Sequence, residues 1–205
     1  MSTSTRAADH RSRRERNKAS RRAAILAAAG KLFGRGTYDA VQMDDVARAA
    51  GIGKPALYRY FPSKEDLFLE VSDRALGELE QALETAAGAG LSAEMALSRM
   101  AELLVAGLRG HFASLRLLSG EHPIVADRWR ILFRKRRRAI NAALTEVLRK
   151  GIADGHFRPV DTTLAPGIIV GMVRGAVMEA PDTPAKHIAA AIIPIVLGGV
   201  KRVGK

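Results

Sequence analysis

The seven residues from Lys54 to Tyr60 gather three side chains able to hold a polyanion. Lys54 offers a compact positive charge, Tyr58 a phenolic hydroxyl, and Arg59 a planar fork of N–H donors. Ammonium and hydroxyl groups suit phosphate oxygens, whereas a guanidinium can also pair bidentately with O6 and N7 of guanine. Arg59 is therefore the candidate for reading a base edge. Just upstream stands Gly51-Ile52-Gly53, whose two glycines predict a sharp reversal. Pro55 suits the first turn of a new helix, where its missing N–H needs no partner.

These side chains need elements to aim them. Asp44 and Asp45 open a short helix over about 43–50, where carboxylates complement exposed N–H groups. Two short helices about a three-residue glycine turn have the spacing of a helix-turn-helix. Its first helix braces on the DNA backbone and its second enters the major groove. Before it, Ile25, Ala29, Leu32 and Phe33 form the apolar stripe of a helix over 19–34, stopped by Gly34-Arg35-Gly36. After it, Pro62 ends the second short helix, and Ser63 with Asp66 makes a capping box for a long helix to about residue 87. Further helices are predicted over 92–109, 112–119, 124–151, 163–179 and 184–203. No stretch alternates with a period of two, so nine helices and no sheet are expected: an all-α chain.

Composition narrows the function. Among 205 residues, 33 Lys and Arg against 21 Asp and Glu leave a net charge of +12, which points to a polyanionic partner. Residues 1–62 carry eight of those twelve excess charges. Residues 1–18, rich in Ser, Thr and Arg without an apolar period, are expected to form a flexible basic arm, one able to follow DNA into a minor groove. The absence of cysteine removes disulfides, thiolate metal sites and cysteine nucleophiles. The histidines at 10, 111, 122, 156 and 187 are never three or four apart, and no catalytic motif occurs. No enzyme activity, metal or cofactor is expected. The longest apolar run, Ile188 to Val200, is short of the roughly 20 residues needed to span a bilayer, and Arg174 interrupts residues 164–178. The expectation is a chain with no membrane partner that is cytoplasmic, and nucleoid-associated when bound to DNA.

Around the short helices stand Phe33, Gly36, Val46-Ala47, Ala50-Gly51-Ile52-Gly53, Leu57-Tyr58, Tyr60-Phe61, Ser63-Lys64 and Leu67. In type and spacing, over about residues 22–70, these resemble the TetR family of one-component transcriptional regulators. The resemblance implies a three-helix DNA-binding domain over 19–62 and a helical ligand-binding and dimerisation domain over 63–205, with 63–87 as the connecting helix. It implies a dimeric, sequence-specific repressor released from a palindromic operator in double-stranded DNA by a small-molecule effector. An activator, a ligand-unresponsive regulator and a sequence-indifferent DNA-coating protein stand as alternatives. The candidate DNA contacts are Arg21, Arg22, Gln42, Gly53, Lys54, Pro55, Ala56, Tyr58, Arg59, Tyr60 and Lys64. The chain departs from the family pattern at Val41-Gln42, where Ser or Thr often precedes the second helix, and at Gly53, often Ser. Base reading then leans on Arg59, on close backbone approach and on the arm.

The remainder offers weaker signals. Met100, Leu104, His111, Phe112, Trp129, Phe133 and Met172 are candidate walls of an effector pocket among the middle helices. A basic cluster, Arg128, Arg130 and Arg134 to Arg138, interleaves with apolar residues and reads as a solvated face or an anion-recognising wall. Gly167, Gly171 and Gly175 recur every fourth residue and notch one helix face, each costing about 1 kcal/mol relative to alanine. With Ile188, Ile192 and Ile195 of the last helix they form the candidate homodimer interface, the alternative being a face packed inside its own subunit. Pro194 is expected to kink that helix.

Overall fold

The computed structural model describes residues 3–109, 123–180 and 182–200, with side chains at 13–109, 127–128, 130–180 and 182–200. Eight helices and no strand occur among the described residues. They are α1 (Thr3–Phe33), α2 (Met43–Ala49), α3 (Lys54–Tyr60), α4 (Lys64–Gly88), α5 (Ala93–Arg109), α6 (Pro123–Ala153), α7 (Ala165–Glu179) and α8 (Ala185–Val200). The helix expected over 112–119, with His111 and Phe112, lies outside the described residues.

One boundary differs widely from expectation. Instead of a flexible arm over 1–18, α1 is helical from Thr3. The reason is local: neither glycine nor proline occurs before Gly30, and alanine and arginine, both strong helix formers, dominate the stretch.

The chain divides into two compact units, Met1–Val71 and Ser72–Lys205. In the first, Ile25, Ala29 and Phe33 of α1 are buried with Val46 and Ala47 of α2, Leu57 of α3, and Leu67 and Phe68 of α4. Phe33 meets Phe68 edge-on at 5.1 Å between centroids, and Tyr38 meets Phe68 the same way at 5.2 Å. The capping box forms as the sequence predicts. The Asp66 amide donates to Ser63 Oγ at 3.0 Å, and that hydroxyl donates to Asp66 Oδ2 at 2.7 Å.

In the second unit α5 is central and packs on α6, α7 and α8. Leu97, Met100, Leu104 and Val105 give it an apolar face buried to 1% exposure or less. Two glycines permit close approach here. Leu79 lies against Gly107, and a β-carbon on Gly151 would overlap the buried ring of Phe157. The final helix turns Ile188 and Ile192 into this core, at 4% exposure each. They are therefore core residues rather than interface residues: their side of α8 is the one covered by α5 and α7. Helix α8 runs on across Pro194.

Candidate nucleic-acid interface

The turn between α2 and α3 follows from one backbone angle. Gly51 has φ of +65°, the left-handed region that side-chain-bearing residues rarely adopt. The Ile52 amide donates to the Ala47 carbonyl at 3.0 Å and the Gly51 amide to the Arg48 carbonyl at 3.2 Å, the bonding pattern of a Schellman cap. Gly53 differs from the two-glycine reading. Its φ of −73° suits any residue, so the reversal needs glycine at position 51 alone.

Helix α3 has one fully buried side chain, Leu57. Pro55, Tyr58 and Arg59 are exposed, as is Gly53 at the N-cap, while Ala56 and Tyr60 are half-buried. Arg59 has no ion-pair partner among the described residues. Lys54 Nζ sits 2.7 Å from Asp44 Oδ1, and the hydrogen bond to that carboxylate raises the lysine pKa above its ordinary value. Gln42, at the N-cap of α2, makes no capping bond and donates instead from Nε2 to the Asp39 carbonyl at 3.2 Å. Lys64 lies 4.5 Å from the Tyr38 ring centroid and donates to the Asp39 carbonyl. Partial burial lowers its pKa, while the Asp39 charge acts the other way. Burial also pushes the Tyr38 phenol up, aided by Glu65 and Asp39.

Arg22 is placed otherwise than the sequence reading expects. Its guanidinium turns inward, pairs with Glu70, donates to the Tyr60 carbonyl at 3.2 Å and stacks over Phe61 at 4.4 Å. It ties α1 to the end of α3 and the start of α4. The residue 48 positions away that completes this clamp left no sequence signal, since local spacing cannot reveal so distant a partner. Arg21, its neighbour, is exposed. With Arg14, Asn17, Lys18 and Ser20 it lines a cleft between α1 and Tyr60, a feature absent from the sequence reading.

Within the second unit the described candidate pocket residues join one core. Met100 and Leu104 are fully buried core, Phe133 and Met172 pack half-buried on that core, and the Trp129 side chain lies outside the described residues. A groove of about 860 Å³ opens elsewhere, with Ala82, Ala86, Leu91, Met95, Leu103 and Leu197 as its apolar walls and Glu78, Glu94 and Glu102 at its rim. The basic cluster of α6 splits. Arg130, Arg134, Arg137 and Arg138 are exposed, whereas Arg136 bridges Asp73 at 2.8 Å and Glu80 at 2.9 Å, with its guanidinium beside Gly77 of α4. The two carboxylates push its already high pKa further up. The glycine face of α7 is open among the described residues: none lies within 4 Å of where a β-carbon would stand at Gly167, Gly171 or Gly175. Leu164, Ile168 and Ile195 are exposed as well, at 61%, 60% and 62%. Among the described residues, none packs against the three glycines.

Among the described residues no group of three or more histidine or carboxylate side chains is placed to hold a metal ion, and no helix is long and apolar enough to cross a membrane. Residues 25–71 match the family of bacterial regulatory proteins of the tetR type, and residues 78–178 match the tetracyclin repressor-like C-terminal domain. The uncharacterized HTH-type transcriptional regulator YhgD of Bacillus subtilis is 27% identical over 150 residues, covering 73% of this chain and 78% of that protein. The ketosteroid transcriptional regulator KstR2 of Mycobacterium tuberculosis superposes with a TM-score of 0.68 at 25% identity, over 89% of this chain and 96% of that one. The TetR family transcriptional regulator PfmR of Thermus thermophilus does so with a TM-score of 0.64 at 30% identity, over 87% and 99%.

Proposed function

Because the chain belongs to the TetR family of bacterial transcriptional regulators, we propose that it acts as a dimeric repressor, released from a palindromic operator by a small-molecule effector. The observation that carries this reading is the exposed guanidinium of Arg59, with no ion-pair partner among the described residues, on a helix whose one fully buried side chain is Leu57. A two-turn helix reads only a few base pairs. Two copies about one helical turn apart, roughly 34–36 Å, read enough to find a site in a genome. The open face of α7, with Ile195 of α8, is the surface on which the second copy sits. Close approach along three glycines supports a tight helix pair, and the exposed leucine and isoleucines supply the apolar area.

The effector enters the second unit. The groove on α4, α5 and α8 is of ordinary ligand-pocket size, and its apolar walls suit an apolar molecule. Binding there changes operator affinity by the difference in the effector's affinity for the DNA-bound and free states.

The direct test is Arg59→Ala in a competition assay. The wild-type chain is first used to enrich its own site from a random-sequence duplex library. The substitution is expected to cost about 1–3 kcal/mol on that site and far less on random duplex. Equal losses on both would assign Arg59 to phosphate and favour a DNA-coating protein.

A further inference from the structure

We infer that Arg136 is a positioning residue: by bridging Asp73 and Glu80 it fixes the axial register of α4 against α6, and with it the half-site spacing that the dimer accepts. This rests on the reading of the chain as a dimer on a palindrome. It adds a residue, outside the helix-turn-helix, that decides which palindromes fit.

The bridge occupies a notch made for it. Asp73, Gly77 and Glu80 follow one another at four and three positions, which places them on one face of α4. The Arg136 guanidinium lies between the two acids, donating from Nε to Asp73 Oδ1 at 2.8 Å and from Nη1 to Glu80 Oε2 at 2.9 Å. Gly77 leaves the room it fills, since a β-carbon there would stand 3.3 Å from Nη1. A glycine inside a long helix weakens it relative to alanine, and here the guanidinium takes the space that a side chain would use. Arg134, Arg137 and Arg138 beside it are exposed.

Direction is what this contact adds. Leu76, Leu79 and Leu83 hold α4 on the core, at 8% exposure or less. Apolar burial is non-directional, and small slides of packed helices are a common motion. The two carboxylates stand about 10 Å apart along the helix axis. A slide of α4 brings one nearer to the guanidinium and draws the other away, so a rigid fork held by both has one best register. Pairing of groups this exposed contributes little net stability, so the bridge sets position more than it stabilises. Helix α4 runs unbroken from Lys64, four residues after α3 ends at Tyr60, and its residues up to Val71 belong to the first unit. A register set at Arg136 is therefore carried along one helix into the unit that contains α3.

The site enriched by the wild-type chain is synthesised as selected, and with one base pair added to or removed from its centre. The full chain and its variants Arg136→Met and Asp73→Asn/Glu80→Gln are titrated against all three duplexes, and their thermal midpoints are measured. The wild-type chain is expected to lose about tenfold in affinity on either altered spacing. In both variants that penalty falls to about twofold or threefold, while the midpoints stay near that of the wild type. The second variant keeps Arg136 itself, so a change common to both belongs to the bridge. It also carries the test should Arg136→Met fail to fold. A full penalty in a folded variant overturns the inference and leaves the regulator reading intact, and a lowered midpoint with the penalty unchanged does the same by making the bridge structural only. A wild-type chain that enriches no palindrome overturns both readings.

Discussion

At the scale of single residues, charge type alone does not assign a role. Arg22 and Arg59 are the same side chain in the same domain, one folded inward and one turned to solvent. The inward one is held by a carboxylate, a carbonyl and an aromatic face together. Its ion pair is over a third exposed on the arginine side, so solvent screening leaves it a modest share. Arg22→Ala is expected to cost about 1–2 kcal/mol, most of it from the missing cation–π attraction and stem packing on Phe61. Thermal unfolding of the purified chain measures this, and an unaltered midpoint would mean that the clamp contributes nothing. The same substitution leaves Arg59 in place, so failure of a folded Arg22 variant to bind DNA would count against a purely structural role. Sequence reading names both arginines among the candidate DNA contacts. Only the fold shows that Glu70 stands beside one of them.

At the scale of elements, the short segments follow their local chemistry closely. Ser63 caps α4, Gly51 closes α2 in the left-handed region, and Pro55 opens α3. Each depends on residues within four or five positions, which a linear reading can inspect. Packing between elements is less legible. Gly151 is the last residue of the helix predicted over 124–151, yet it lies buried inside α6, where Phe157 and Ala93 occupy the space of a side chain. Gly151→Ala would set a methyl group 2.9 Å from the Ala93 β-carbon and into the Phe157 ring. The expected loss is about 1–3 kcal/mol from overpacking, despite the gain in helix propensity. Chemical denaturation checks it: a stabilised variant would show that the loop bearing Phe157 yields freely. Arg136 teaches the same lesson, since the acids that hold it are 63 and 56 positions away.

At the scale of the whole molecule, the open glycine face makes a clean prediction. Among the described residues Gly171→Leu meets no atom at the β-carbon, and it replaces a poor helix former, so each subunit is expected to fold at least as well as before. A second copy approaching along that face would meet a bulky side chain instead of a notch. Light scattering is expected to shift from dimer to monomer, with a steep loss of affinity for a palindromic site. A variant that stays dimeric at the same concentration would place the interface elsewhere. The all-helical class, the helix-turn-helix with its caps, and the notched face of α7 are all set by residue type at short spacing, and a linear reading suffices to find them. Which side of each helix is covered is a matter for the tertiary structure. It sends Ile188, Ile192, Met100 and Leu104 into the core and Arg22 into a clamp. Periodicity shows that a helix has an apolar face, but which neighbour buries it depends on contacts between residues far apart in the chain, and no local pattern encodes those.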